Sequence, residues 1–245
     1  MACQTSRRHL DSSVIASTLN GWKNPGLYAD VHKELNINEA GDRDLNDDMM
    51  EISGQNSGFT SIIICALNHI HDLTVPCIKS IVQNTSEPYE LVLIDDGSQD
   101  GTFQYFRTLT RKAYRNENPK GASRCRNIGL KASEGDYICF LDNDVIVPPG
   151  WLGILTQESR KPGAGIVGPM LSNEKQRYNL KQSTDGLCDV ASVPGACMLI
   201  KREVFNILGY LDERLVNFGE DTDYCFRAKL AGYRVVNTKK VTVYH

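Results

Sequence analysis

Two carboxylates one residue apart, Asp142 and Asp144, follow the run Tyr137-Ile138-Cys139-Phe140-Leu141. That run is aromatic and apolar and reads as a buried strand. Pro148-Pro149-Gly150 then turns the chain away. Asp is depleted within strands and common where they end, and ligands of open α/β sheets bind at the carboxyl ends of the strands. Two acids so placed repel each other unless a cation or hydrogen-bond donors offset them. Oxygen ligands favour a hard ion such as Mg²⁺ or Mn²⁺, usually shared with substrate phosphates. A polar turn after a strand would show the same residues, so the metal reading depends on the rest of the chain.

Four further groups carry chemistry. Asp95-Asp96-Gly97-Ser98 ends a second apolar run. It serves as a turn and helix cap, or one of its carboxylates faces the sheet's upper edge and accepts an N–H from a nucleobase. Arg124-Cys125-Arg126-Asn127 opens a helix, where a guanidinium and helix N–H groups favour an anion; a solvated helix face is the plainer account. Glu220-Asp221-Thr222-Asp223 opens another helix, where acids complement the macrodipole. Glu220, Asp223 and Arg227 fall near one face and can pair internally, which leaves Asp221 free to act as a base. His245 follows Val241-Thr242-Val243-Tyr244, and a neutral imidazole is a good metal ligand; a frayed tail is the alternative. His69 and His71 read as surface or packing residues.

The elements that position these groups begin at Phe59. Apolar strands are expected at 59–65, 89–94 and up to Asp142, with helices near 72–84, 101–112 and 123–132 and a short strand at Tyr114. Strands alternating with helices indicate an α/β fold with a mainly parallel central sheet flanked by helices. Beyond the acid pair come a helix at 151–159, a strand at 163–171, a polar irregular stretch at 172–190, a strand at 196–200, a helical turn at 201–208, a helix at 220–231 and strand-like runs to Tyr244. Residues 1–58 differ: five basic against nine acidic residues and few apolar ones. They read as a polar extension or linker with a short helix near 26–35, and suggest an additional domain or an oligomer.

Composition narrows the classes. The 245 residues are 41% hydrophobic and 23% charged, ordinary for a globular protein. A net charge of −3 leaves no basic footprint for nucleic acid. Eight cysteines without a C-x-x-C pair, several inside apolar runs, fit a reducing compartment. With no signal peptide and no long apolar run, a cytoplasmic location is expected. Gly163-Ala164-Gly165-Ile166-Val167-Gly168 has the dinucleotide spacing but runs from a helix into a strand, the reverse of a Rossmann site. P-loop, G-x-S-x-G and H-E-x-x-H patterns are missing.

Taken in order, these pieces resemble the inverting family-2 glycosyltransferases of the GT-A fold. The matching residues are Ile62-Ile63-Ile64-Cys65-Ala66-Leu67-Asn68, Leu93-Ile94-Asp95-Asp96-Gly97-Ser98, Arg126-Asn127-Ile128-Gly129-Leu130, Phe140-Leu141-Asp142-Asn143-Asp144, Pro194-Gly195-Ala196-Cys197, Gly219-Glu220-Asp221-Thr222-Asp223 and His245. The resemblance covers 59–245 and makes that span the catalytic domain. It implies a nucleotide-sugar donor, with UDP the first choice, and Mn²⁺ or Mg²⁺. Asp96, with Asp95 beside it, would bind the base. Asp142 would meet the ribose or sugar, Asp144 and His245 would hold the metal, and Asp221 would be the general base. Arg126 and Asn127 would line the donor pocket. Leu67 stands where the family often has Tyr, and Cys125 where Ala is common. The family usually continues past this His with acceptor-side elements. The acceptor, whether carbohydrate, lipid-linked or protein, is open, and a lipid-linked one would imply a membrane-peripheral role. The alternatives are a non-catalytic nucleotide-sugar-binding or scaffold module and a sugar nucleotidyltransferase.

Overall fold

The computed structural model describes residues 58–172 and 186–245. The extension expected at 1–58 (Gly58 apart), its helix near 26–35 and most of the irregular stretch at 172–190 lie outside the described residues.

β1 (Thr60–Ala66), β2 (Tyr89–Asp95), β3 (Ala113–Arg115) and β4 (Tyr137–Asp142) are all parallel. β1 lies between β2 and β4, so the strand order reverses beside it. Its sequence explains that place: a strand covered on both faces must be apolar at odd and even positions alike. Ile62, Ile64 and Ala66 join one core with Leu93, Cys139 and Leu141, beneath Cys77, Ile78 and Ile81 of α1 (Val75–Asn84) and Trp151 and Leu155 of α4 (Trp151–Ser159). Ile63 joins the opposite core with Val92, Ile94 and Phe140, against Cys125 and Leu130 of α3 (Ala122–Ala132) and Tyr224 and Cys225 of α6 (Glu220–Leu230).

The complete sheet among the described residues has eight strands in the order β3-β2-β1-β4-β7-β5-β8-β6. β5 (Ala164–Leu171) and β8 (Arg234–Val243) pair in parallel, whereas β7 (Cys197–Lys201) runs antiparallel to β4 and β5. This reversal matters. An antiparallel strand starts at the edge where its parallel neighbours end, so Gly195-Ala196 emerges beside Asp142. α2 (Thr102–Leu109) and α5 (Arg202–Leu208) complete the helices.

Two local features depart from the sequence reading. The helix expected at 72–84 begins with one wide π-helical turn, Ile70–Thr74, and becomes α-helical at Val75. Pro76 sits in the first turn of α1, where its missing N–H costs nothing. Within the polar stretch before Val190, Leu187–Asp189 forms β6 at the edge of the sheet against β8. Three residues are too few to reveal a period.

α3 lies close on β1 because Gly129 faces Ile63: a methyl group on Gly129 would overlap the Ile63 Cγ2 atom. Ile63 is 1% exposed and cannot move aside. Ala in place of Gly would favour a helix by about 1 kcal/mol, but overpacking costs about 1–3 kcal/mol. Gly129→Ala is therefore expected to lower stability, read as a reduced midpoint in urea unfolding at unchanged slope.

Candidate functional site

The register of the sheet sets the site. Ala66 of β1 stands opposite Asp95 of β2, and Cys65 opposite Asp142 of β4. The two acid-bearing strand ends thus flank the end of β1, at the place where the strand order reverses. This is the crevice in which open α/β sheets bind ligands.

On the β4 side, Asp142, Asp144 and His245 gather their ligand atoms within 4.8 Å of one another. Asn143, between the acids, turns away and donates to Thr74 Oγ1 at 2.9 Å. His245 reaches the cluster because β8 continues into a bridge: Tyr244 and Ile146 exchange backbone hydrogen bonds of 3.0 and 2.8 Å. Its Nε2 lies 3.3 Å from Asp144 Oδ1 and 3.8 Å from Asp142 Oδ2. Burial pushes the Asp144 carboxyl up, but the hydrogen bond and charge of His245 outweigh it and hold the group below the ordinary Asp value. Cys77, buried under the strand end, donates to the Asp142 carbonyl at 3.5 Å. Burial and the charges of Asp144 and Asp142 push its thiol far up, so it stays neutral.

Behind the cluster lies a buried ion-pair chain. Arg126 donates from Nη2 to Asp142 Oδ1 at 2.9 Å and from Nη1 to Glu220 Oε1 at 2.6 Å. Its side chain is 6% exposed, and its guanidinium lies 5.3 Å from the centre of the Phe140 ring. Gly195 backs onto the same guanidinium: a Cβ there would come within 2.6 Å of both Nη atoms. The Gly195 N–H donates to Asp221 Oδ2 at 3.0 Å, and Asp221 Oδ1 takes the Thr222 N–H at 2.6 Å. Burial alone would lower the Arg126 pKa, but Asp142 and Glu220 more than offset it and hold the group charged. Asp142 and Glu220 thus share one guanidinium, whereas Asp144 turns to His245 and Asp221 to the backbone N–H groups of Gly195 and Thr222. Two carboxylates and an imidazole within reach of one point, in an environment with excess negative charge, suit a divalent cation.

On the β2 side the two adjacent acids divide their work. Asp95 is fully buried; its Oδ1 accepts the Ser98 N–H at 2.9 Å and its Oδ2 lies 3.4 Å from Arg115 Nε. Asp96 reaches the upper edge. Its Oδ1 accepts from Asn116 Nδ2 and the Lys120 N–H, both at 2.8 Å, and its Oδ2 from the Gly121 N–H at 2.9 Å. Asn68 fastens the loop after β1 to this one: its N–H donates to Ser98 Oγ at 2.7 Å and its Oδ1 accepts the Gln99 N–H at 2.9 Å.

The structure therefore brings Asp142, Asp144 and His245 together and joins Asp221 to them through Gly195 and Arg126. Three residues expected at the donor pocket have partners within the protein. Asp95 caps the turn from inside. Asn127, 8% exposed, exchanges hydrogen bonds with the Leu211 backbone and donates to Glu213. Arg126 is enclosed between protein carboxylates, not open to phosphate. Asp221 is held by the Gly195 N–H, not free, and Glu220 pairs with Arg126, leaving Arg227 to Asp223 at 2.8 Å. Glu220 and Gly195 were missed as site residues. The available signal was a third acid beyond what a helix start requires, and a glycine directly before a strand.

Residues 61–186 match the model of glycosyl transferase family 2, and the chain belongs to that family. It is 25% identical to the protein y4gI of Sinorhizobium fredii over 94% of its own length, and spans 32% of that relative. Two solved structures share the fold. A mannosyltransferase of Pyrobaculum calidifontis in complex with GDP-Man and Mn²⁺ superposes with a TM-score of 0.66 at 19% identity, over 96% of this chain and 68% of that one. GalNAc-T7 with UDP, GalNAc and Mn²⁺ gives 0.64 at 20% identity, over 78% of this chain and 44% of that one. The architecture is that of the GT-A fold. No helix among the described residues is long and apolar enough to cross a membrane.

Removing the Asp96 carboxylate would strip three donors of their acceptor. Asp96→Ala is expected to lower stability by about 1–3 kcal/mol, measurable by chemical unfolding; a midpoint equal to wild type would mean that water replaces the carboxylate without loss.

Proposed function

We propose that residues 59–245 form the catalytic domain of a metal-dependent, inverting glycosyltransferase that moves a sugar from a nucleotide-sugar donor, UDP-linked in first instance, to an acceptor hydroxyl. The observation that carries this reading is the convergence of Asp142, Asp144 and His245 at the carboxyl edge of the sheet in a family-2 chain. Its relatives in fold were solved with UDP or GDP-Man and with Mn²⁺.

Asp144 and His245 would hold Mn²⁺ or Mg²⁺, with Asp142 beside them toward the ribose or sugar. A divalent cation supplies Lewis-acid stabilisation for the charge that grows on the β-phosphate as the glycosidic bond breaks. Asp96 would accept a nucleobase N–H, and its bonds to Asn116, Lys120 and Gly121 hold the loop at 116–121 still around it. Asp221 would accept the proton of the acceptor hydroxyl as it attacks the face of the sugar opposite the leaving nucleotide, which inverts the anomeric centre. The Gly195 N–H fixes one Asp221 oxygen and leaves the carboxylate in a defined orientation. The acceptor is a carbohydrate, a lipid-linked or a protein hydroxyl.

Asp221→Asn keeps an oxygen to accept the Gly195 N–H but removes the base. Turnover is expected to fall by roughly 10²-fold or more with nucleotide binding unchanged, assayed as nucleoside diphosphate released from UDP-, dTDP- and GDP-sugars. Wild-type turnover in that variant removes Asp221 from the mechanism. Asp144→Ala is expected to abolish the metal dependence of nucleotide binding; an unchanged Mn²⁺ titration would count against the ligand assignment.

A further inference from the structure

Arg126 does not contact the ligand atoms of His245 and Asp144, yet among the described residues it is the one cation paired with both acidic arms of the site. Its two Nη atoms go to different elements: Asp142 at the end of β4 and Glu220 at the first turn of α6. Lys could carry the charge but not the two-armed geometry, because its single ammonium lacks the guanidinium's planar fork. Phe140 and Gly195 enclose the guanidinium, and Gly195 in turn donates to Asp221. The second oxygen of Glu220, Oε2, is buried and has no hydrogen-bond partner among the described residues. Glu220 therefore has one visible engagement for its charge, Arg126.

We propose that Arg126 is a positioning residue that aims Asp142 into the cation cluster and, through Glu220 and Gly195, sets Asp221, so that the cation side and the base side form one mechanical unit. The inference rests on the glycosyltransferase reading for its functional meaning, but the unit itself is a property of this chain. Its consequence is long-range: Glu220, on a different helix and not a ligand, governs the affinity of the cluster for a cation. Partners that orient metal-ligating carboxylates from behind are worth about 10–100-fold in affinity.

Two measurements test it, on the full chain. The first needs no metal: amide hydrogen exchange in Arg126→Lys and Glu220→Ala. The Gly195 amide and the first turn of α6 are expected to exchange about tenfold faster or more, with a loss of protection beyond the uniform loss that reduced global stability brings to β1 and β2. The second follows free Mn²⁺ by electron paramagnetic resonance. Glu220→Ala is expected to weaken Mn²⁺ binding about tenfold. Glu220→Gln, which retains an oxygen for Arg126 Nη1, is expected to restore it. A merely local packing role would not move the Mn²⁺ signal or distinguish Gln from Ala. Wild-type exchange at Gly195 in Arg126→Lys overturns the proposal, as does wild-type Mn²⁺ affinity in Glu220→Ala. If the wild-type protein binds no Mn²⁺, the metal-dependent reading of the site fails, and the exchange measurement alone decides whether the unit exists.

Discussion

A guanidinium buried between two carboxylates is the constraint on which this site depends. Moving Arg126 out of water is costly, and only complete pairing offsets that cost. Asp142 and Glu220 supply the charges, and Phe140 and Gly195 close the faces. Breaking such a buried pair typically costs about 3–5 kcal/mol, a large part of a domain's net stability. Residues distant in sequence are thereby held at fixed separations: the end of β4, the start of α3, the chain entering β7 and the start of α6.

What that arrangement leaves over is negative charge. Arg126 compensates one carboxylate's worth, and Asp144 finds His245 at 3.3 Å. A site with fixed, partly buried carboxylates and an imidazole at a strand end is organised in advance for a cation and its phosphate ligands, with no rearrangement needed at the moment of binding. The opposite side of the crevice is built on a different principle: Asp96 uses neutral donors, two of them backbone N–H groups, to shape the loop at 116–121.

Much of this was legible in the sequence, and the limits have physical causes. The strands were readable because burial on both faces demands continuous apolar runs, as in Ile62-Ile63-Ile64. The resemblance pairs Asp144 with His245 and sends Asp142 to the ribose or sugar; that all three gather at one point is read from the structure. The division of labour between neighbours was not legible. Asp95 is the last residue of β2 and points into the protein, whereas Asp96 is the first beyond it; a change of one residue reverses the face. Arg126 and Asn127 read as anion-binding because a helix start suggests it, but which way they point depends on tertiary contacts with residues some ninety positions away. For the same reason Glu220 appeared to belong to its own helix. Gly195 carries no side chain to signal its role, which is to let backbone approach a guanidinium.

In the proposed function, the cluster at the end of β4 binds a nucleoside diphosphate through a divalent cation. Isothermal calorimetry of the full chain with UDP, dTDP and GDP, each with and without Mn²⁺, tests it most directly. The account predicts that one nucleotide binds in the presence of Mn²⁺ and loses that binding when EDTA is added. Equal binding with and without the metal, or no binding of any of the three to a folded protein, would contradict it.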